Sequence, residues 1–361
     1  MDHLPVELGG ALDRACAELS QRELGAAVDK LIARYRDPRP ATSPILGSPA
    51  AVAAYAAYRM PATWAAVRHA LTAFVERAPG FRPETLLDLG GGTGAALWAA
   101  AGLFPSLTGA TVLDQVDDAL AFGRTLAAGS GLAAVRGAQW RHAAFAPEEP
   151  LGEADLVTVS YVLSELAEPD QASLIARAAA GARAVAVLEP GTPDGYRRVL
   201  AARDALAAAG MTILAPCPHQ GACPLAEIKD WCHFSARLGR STLHRRLKGG
   251  ELDHEDEKFA YVVALRAEDA VRAPASSPAP GRVLRHPVKR KGLVMLQVCT
   301  PDDGVVPTLV SKRRGAVYRA ARDAEWGDPW PPPAAGQAEK NAAAAADATN
   351  TAKAADTILP A

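Results

Sequence analysis

The stretch Thr85-Leu86-Leu87-Asp88-Leu89-Gly90-Gly91-Gly92-Thr93-Gly94 restricts what this chain can fold into more than any other. Apolar residues around Asp88 predict a short buried strand, the glycines a tight turn, and the alanine-rich run at 95–100 a helix whose small side chains permit close packing. Glycine is required in such a turn because a side chain would block a ligand from the free N–H groups at the helix start. A nucleotide-like ligand belongs there.

Two frames accommodate the glycines. Gly90, Gly92 and Ala95 fit the Gly-x-Gly-x-x-Gly/Ala frame of a dinucleotide site. The second frame, Asp88-x-Gly90-x-Gly92-x-Gly94, resembles the first motif of class I S-adenosylmethionine-dependent methyltransferases and is the favoured one. Roughly twenty residues further on, Ala110-Thr111-Val112-Leu113-Asp114 predicts the second strand, with Asp114 placed to hydrogen-bond a ribose diol. The expected cofactor contacts are therefore Asp88, Gly90, Gly92, Gly94 and Asp114, with a nicotinamide or flavin cofactor, or a merely structural turn, as the competing readings.

Alternation of strand and helix continues to about residue 188, which predicts an α/β, Rossmann-like doubly wound core. The stretch 155–166 reads as a strand whose carboxyl end lies where open α/β sheets bind ligands. Ser160, Tyr161, Ser164 and Glu165 are expected to line the methyl-acceptor side, with Glu189 and Gly191 at the rim. Glu165 or Tyr161 is the candidate for deprotonating or orienting an acceptor, and a solvent-exposed strand end is the bland alternative. No Asn-Pro-Pro-Tyr or Asp-Pro-Pro-Tyr element stands there, which weighs against methylation of an exocyclic base amine. No cysteine stands there either, so the thiolate adduct used for C5 methylation of pyrimidines lacks its nucleophile.

Three cysteines, Cys217, Cys223 and Cys232, are spaced C-x5-C-x8-C, and Cys299 ends the apolar run 292–298. Four thiolates brought together make a soft-metal site, either tetrahedral zinc or an iron–sulfur cluster, and His219 or His233 could replace a thiolate in either. Structural zinc sites usually use C-x2–4-C pairs, and neither gap here is that short, so the spacing is more comfortable for a cubane cluster. The C-x3-C-x2-C pattern of radical S-adenosylmethionine enzymes is absent. The fifth cysteine, Cys16, shares a helical face with Leu12 and Leu19 and reads as a buried apolar residue.

The formal net charge of −1 hides an asymmetry: residues 1–230 carry 19 Lys and Arg against 25 Asp and Glu, net −6, and residues 231–361 carry 20 against 15, net +5. The basic residues fall in groups: Arg237, Arg240, Arg245, Arg246 and Lys248; Arg285, Lys289, Arg290 and Lys291; and Lys312, Arg313 and Arg314. Such groups suit phosphate backbones, and a solvated basic face is the alternative. Met1-Asp2-His3-Leu4-Pro5 lacks the pattern of a secretory leader, and no apolar run reaches the ~18 residues of a membrane span. A cytoplasmic protein without a membrane partner is expected.

The N-terminal stretch carries helical spacing, with Leu24, Val28, Leu31, Ile32 and Tyr35 able to share a face, and Pro61 opens a further helix. Tyr55, Tyr58 and Trp64 read as core packing rather than a stacking platform. Domains are expected at 1–80 (helical), 81–215 (Rossmann-like core), 216–330 (cysteine-bearing, basic, completing the sheet with 258–265 and 293–299) and 331–361 (a disordered tail). Residues 273–281 are expected to form a mobile loop.

Several runs together carry a resemblance: Ala54-Tyr55 to Arg59-Met60-Pro61-Ala62, the loop 87–94, Cys217-Pro218-His219 to Cys223-Pro224, Trp231-Cys232-His233-Phe234, residues 255–261, and Ala321-Arg322 to Trp326-Gly327-Asp328. In this order they resemble the methyltransferase-like proteins associated with the small subunit of mitochondrial ribosomes, and their bacterial relatives. The resemblance implies a class I methyltransferase fold, a structural 4Fe–4S cluster on Cys217, Cys223, Cys232 and Cys299, and association with small-subunit ribosomal RNA during assembly, by a chain expected to be a monomer. An active RNA methyltransferase, an assembly factor that keeps the fold without catalysis, and a small-molecule methyltransferase with a zinc site remain open.

Overall fold

The computed structural model describes residues 2–17, 19–36, 48–145, 151–248, 252–272 and 278–332. The expected tail beyond residue 332 and the expected loop at 273–277 lie outside these described residues. The remainder of that loop is packed rather than mobile: Ala279 is buried, and the Gly281 carbonyl accepts from the Trp330 N–H at 2.9 Å.

Helices α1 (Val6–Cys16), α2 (Gln21–Arg36), α3 (Pro49–Tyr58) and α4 (Met60–Val75) come first. Two of them start on local chemistry. Ser20 and Glu23 cap α2 reciprocally, the Glu23 N–H donating to Ser20 Oγ at 3.2 Å and the Ser20 N–H to Glu23 Oε2 at 3.0 Å. Ser48 Oγ accepts from the Ala51 N–H at 3.2 Å ahead of Pro49 at the first position of α3. Leu24, Val28 and Leu31 are buried as their spacing predicts, and Leu24 and Val28 pack with Cys16, Ala53, Ala54 and Ala57.

The alternating part follows as β1 (Thr85–Leu89), α5 (Ala95–Ala101), β2 (Gly109–Asp114), α6 (Asp117–Ala127), α7 (Ala133–Arg136), β3 (Gln139–His142), β4 (Ala154–Ser160), a 3-10 turn (Leu163–Glu165), α8 (Glu168–Gly181), β5 (Ala182–Pro190), α9 (Pro193–Ala208) and β6 (Met211–Ala215). Then come β7 (Phe234–Gly239), α10 (Thr242–Lys248), β8 (His254–Arg266), α11 (Ala267–Arg272), β9 (Arg282–Val283), β10 (Val288–Arg290), β11 (Leu293–Cys299), β12 (Val305–Ser311), a 3-10 turn (Lys312–Arg314) and α12 (Ala316–Asp323). The described residues divide into two compact units, those within 1–69, 83–182 and 236–257, and those within 70–82, 183–235 and from 258 onward.

In the first unit the strands run β3-β2-β1-β4, all parallel, with Leu87 opposite Thr111 on one side and Val157 on the other. The inner strands are near-continuous apolar runs because helices cover the sheet, as the βαβ pattern requires. Both β1 and β4 are tied at their amino ends by Asp155, whose Oδ2 accepts from the N–H groups of Glu84 (2.8 Å) and Thr85 (3.0 Å). The Asp155 N–H donates back to Thr85 Oγ1 at 2.9 Å, so the register of the two strands is pinned at one end and their carboxyl ends are brought level at the other.

In the second unit β8 runs antiparallel between β5 and β6, as expected for 258–265. Residues 293–299 do not join that sheet. They form β11 of a separate antiparallel sheet, β10-β11-β12 with β9 pairing β11, whose inner face packs Val283, Val294, Leu296, Val298 and Val310 against Ala321, Ala324 and Trp330. An apolar run of seven residues fits either sheet, and the short turns to β10 and β12 decide the outcome by making local antiparallel pairing the less entropically costly choice.

Replacing Asp155 by Ala strands two backbone N–H groups and is expected to lower stability by about 1–2 kcal/mol, less for Asp155→Asn, measured as a shift in urea midpoint at constant m-value.

Candidate functional site

Between β1 and α5 the backbone passes through left-handed conformations at Gly90 (φ 66°), Gly92 (φ 52°) and Gly94 (φ 86°). The reasons differ. A β-carbon on Gly90 would lie 2.5 Å from Val162 Cγ2, and one on Gly94 would lie 2.7 Å from the Trp140 ring, so those two are filled against by the protein itself. On Gly92 the nearest atom would be Asp114 Oδ2 at 3.7 Å, an ordinary contact. Packing therefore does not account for the missing side chain of Gly92; backbone conformation and open approach from outside do.

Asp114 closes β2 and accepts from the Gly92 N–H through Oδ2 (2.9 Å) and from the Val116 N–H through Oδ1 (2.9 Å). Each oxygen keeps a second lone pair, so the carboxylate can still accept from a hydroxyl pair. Burial pushes its proton affinity up, and the two backbone N–H groups pull it down. Asp88 is completely buried under Gly91, and Thr158 Oγ1 donates to its Oδ1 at 2.7 Å. Burial, against the opposing effect of the Thr158 bond, raises the Asp88 pKa to about 7. Asp88 thus supports the turn from beneath.

On the far side of β1, the chain leaves β4 through Tyr161, a non-glycine residue at φ 63°. Its hydroxyl donates to Glu257 Oε1 at 3.1 Å, and Arg59 holds the same carboxylate with both terminal nitrogens, Nη2 to Oε1 at 2.9 Å and Nη1 to Oε2 at 3.2 Å. Burial and the Glu257 charge lift the Tyr161 pKa well above that of a free phenol. Beside them, half-buried Tyr55 feels the charges of Arg59, Asp114 and Glu165. Glu165 itself is exposed at the end of its 3-10 turn, whereas Trp64 is core, as its sequence context suggests. Arg59 and Glu257 lie in quoted sequence runs, yet nothing in those runs signals a pair 198 positions apart.

The second unit brings the four cysteines together. Cys217 follows β6, Cys223 lies in the next loop, Cys232 precedes Phe234 and Cys299 ends β11, and all four line one cavity of about 40 Å³. Burial raises the proton affinity of Cys217 and Cys232, and pushes Cys299 up to about 12; the neighbouring thiols add to it in each case. Tyr196 donates to Cys223 Sγ at 3.2 Å, and His219 Nε2 stands 3.7 Å from Cys299 Sγ. His233 stacks on Trp231 (5.2 Å between centroids) and meets Trp326 edge-on, so it serves packing. Among the described residues no group of three or more His, Cys, Asp or Glu side chains is arranged to hold a metal ion. Cys16 is buried in the helical cluster, where desolvation lifts its pKa to about 11.

The basic residues divide. Arg237 is chelated by Asp256 (2.7 and 2.6 Å), Arg240 is only 12% exposed beside Glu255, and Arg285 is bound to Asp230 and the Trp231 carbonyl. Arg245 and Arg246 are exposed on α10, which Lys248 ends, and Lys289, Arg290 and Lys291 are exposed on and after β10. The Lys312 N–H donates to the Gly292 carbonyl at 2.8 Å, which sets exposed Lys312, Arg313 and Arg314 against the Lys291–Gly292 turn. Two sequence groups thereby become one basic end of the second sheet. Arg245 and Arg246 belong to the other unit.

Two expectations follow from the glycine turn. Gly94→Ala must displace Trp140 and is expected to cost roughly 1–3 kcal/mol, against about 1 kcal/mol for the left-handed Ala of Gly92→Ala, as measured by denaturant unfolding. For Asp88 the folded pKa lies above the unfolded value of about 3.9, so the native state holds the extra proton between the two. Its contribution to stability is greatest below the unfolded pKa and falls as pH rises toward and through about 7. Asp88→Asn, which keeps an acceptor for Thr158, should flatten the decline in unfolding free energy between about pH 4 and 7.

The profile of the family described as mitochondrial small ribosomal subunit Rsm22 matches residues 49–331. The human ribosome assembly protein METTL17, mitochondrial, is 30% identical over 295 residues, covering 76% of this chain and 61% of that protein. The Rsm22-cox11 tandem protein 2, mitochondrial, of Schizosaccharomyces pombe is 30% identical over 147 residues, 33% of this chain and 19% of that protein. The matches thus span 61% and 19% of these relatives' own length, in both cases less than two thirds. Among solved structures, an O-methyltransferase family protein from Burkholderia thailandensis overlaps 67% of this chain and 68% of its own at 16% identity, with a TM-score of 0.40, too low to add to the fold description above. The family match runs from α3 through the glycine turn and all four cysteines of the cavity to the last described residues, and on it the chain belongs to the Rsm22 family.

Proposed function

We infer that this chain is a small-subunit ribosome assembly protein that binds S-adenosylmethionine at residues 90–94 and small-subunit ribosomal RNA through its basic surfaces. The observation that carries the cofactor part is Gly92, left-handed and open on the side away from the core, beside an Asp114 carboxylate with lone pairs to spare. A ribose diol on Asp114 and the amino-acid end over Gly90 to Gly94 suit that arrangement better than a pyrophosphate, which Asp114 and Glu165 would repel. Bound S-adenosylmethionine supplies an electrophilic methyl. The chain's part is alignment: Tyr161, fixed by Glu257 and Arg59, shapes the acceptor side, and exposed Glu165 is the group placed to take up an acceptor proton.

Binding without catalysis is the second reading, and one observation favours it. The Tyr161 hydroxyl is already donated to Glu257, whose charge makes the phenol harder to ionise, so this tyrosine is a fixed donor and not a base. The partner assignment is supported by the names of the relatives and by the basic end formed by Lys289 to Lys291 and Lys312 to Arg314. No helix among the described residues is long and apolar enough to cross a membrane.

For Cys217, Cys223, Cys232 and Cys299 we infer a structural 4Fe–4S cluster, with zinc as the alternative. The donor set fits: four thiols and no carboxylate line the cavity. A cubane takes one thiolate on each of its four irons, and four thiols converge on this one cavity. The cluster would tie the loop at 217–232 to the end of β11.

Calorimetry should show S-adenosylmethionine binding that Gly92→Ala abolishes while the variant stays folded; binding of NADH instead would overturn the frame. Incubation with labelled cofactor and small subunits from a deletion strain should transfer label to ribosomal RNA, whereas normal subunit binding with no label establishes the assembly factor without catalysis. Lys291→Ala and Arg313→Ala should each weaken RNA binding and lower the slope of log affinity against log salt by about one.

A further inference from the structure

Two arginines in the wall of the cysteine cavity are almost wholly buried, Arg203 at 3% and Arg282 at 2% exposure. A buried guanidinium must find partners for its five N–H groups. Arg203 gives Nη1 to Asp204 (2.8 Å) and Nη2 to the carbonyls of His219 (3.2 Å) and Gly221. Arg282 gives Nε to the Pro216 carbonyl (2.9 Å) and Nη1 to the Gly327 carbonyl (2.7 Å). Both thus grip the backbone on either side of Cys217, and the Arg282 main chain pairs with Cys299 across β9 and β11. Each nonetheless keeps one buried nitrogen without any hydrogen-bond partner, Nε of Arg203 and Nη2 of Arg282.

Such groups are costly unless something completes them. The surrounding acids do not. Asp204 is 61% exposed and screened by water. Glu76 and Asp328, together with Arg77, balance the charge of Arg282, but none of them accepts from its buried Nη2. What shares the cavity wall with both arginines is sulfur, the thiols of Cys217, Cys223, Cys232 and Cys299; both guanidinium groups also favour the charged form of Cys217 and of Cys299. Four thiolates around a dipositive core, whether zinc or a cluster, retain two negative charges, and those charges sit on the sulfurs.

We propose that Arg203 and Arg282 are a guanidinium clamp for the metal-bound thiolates, donating their unpartnered N–H groups to sulfur and stabilising the anionic, fully deprotonated four-cysteine site. The proposal rests on the metal reading of the four cysteines and deepens it. Arg203 acts by charge and contact; Arg282 acts by aiming a donor from the strand that pairs with Cys299. Tyr196, donating to Cys223, is the third member of the same shell.

The test uses the full chain purified without oxygen, as isolated and after reconstitution with iron and sulfide or with zinc. Arg203→Gln and Arg282→Gln are compared with Arg203→Lys and Arg282→Lys, reading iron, sulfide and zinc content, the rate of metal release to a chelator, and melting temperature with and without metal. The Gln variants should release metal about tenfold faster, the Lys variants near the wild-type rate. In each Gln variant the rise in melting temperature on metal loading should shrink, because the clamp acts only on the loaded form. If the cluster is iron–sulfur, its midpoint potential should move to more negative values in Arg203→Gln, since removing a buried positive charge disfavours the more reduced state. A purely structural role lowers the loaded and metal-free melting temperatures equally and leaves release unchanged, which overturns the clamp while leaving the metal site standing. Wild-type chain that takes up neither iron nor zinc overturns the metal site and the clamp together.

Discussion

A strand with no exposed face has to become a helix with no exposed face across residues 90–94, and that passage governs the first unit. Three left-handed residues accomplish it, and the turn then satisfies itself on the next strand: the N–H groups of Gly90 and Gly91 both donate to the Leu113 carbonyl, at 2.8 and 3.2 Å, and that of Gly92 to Asp114. The end of β2 is therefore part of the turn. Trp140 and Val162 close in where side chains are missing, and Asp88 with Thr158 fills the space below. Each of these groups is thus held by the fold's own bonds and packing.

That part was legible in the sequence because its causes are local. Glycine at alternate positions after an apolar strand has few explanations, and an acidic residue ending the following strand needs only strand length to be found. What was not legible depends on distance along the chain. Arg59 and Glu257 look like two ordinary charges until folding puts them in contact, and the Tyr161 side chain is fixed by that pair. The basic groups show the same limit: composition reveals that Arg237 is charged, but not that Asp256 consumes it. The apolar pattern of residues 293–299 signals a strand but not which sheet it joins, since burial on one face looks alike in both.

Tyr161 illustrates how strain is kept in place. A left-handed tyrosine costs about 1–2 kcal/mol relative to an extended one, and a short loop alone would relax it. The hydroxyl bond to Glu257 opposes that relaxation, and Glu257, nearly buried, is itself tolerable only because Arg59 chelates it. The chain of dependence runs from an ion pair to a hydrogen bond to a backbone conformation beside the glycine turn. Val162, the next residue, is the one that packs on Gly90, so the same conformation also sets the far wall of the turn.

The second unit meets the opposite difficulty, since its buried groups are acids that burial keeps neutral. Each of Cys217, Cys232 and Cys299 holds its proton more firmly, chiefly through burial and further because other thiols are near, so these three resist becoming thiolates unaided. A metal that binds there must displace those protons, and its apparent affinity must rise with pH. The arginines act against that resistance at Cys217 and Cys299 and therefore lower the cost of the deprotonated state without removing it. A cavity built this way discriminates by charge: it keeps Cys217, Cys232 and Cys299 protonated and poorly reactive, and only a cation could offset the charge of their deprotonated forms.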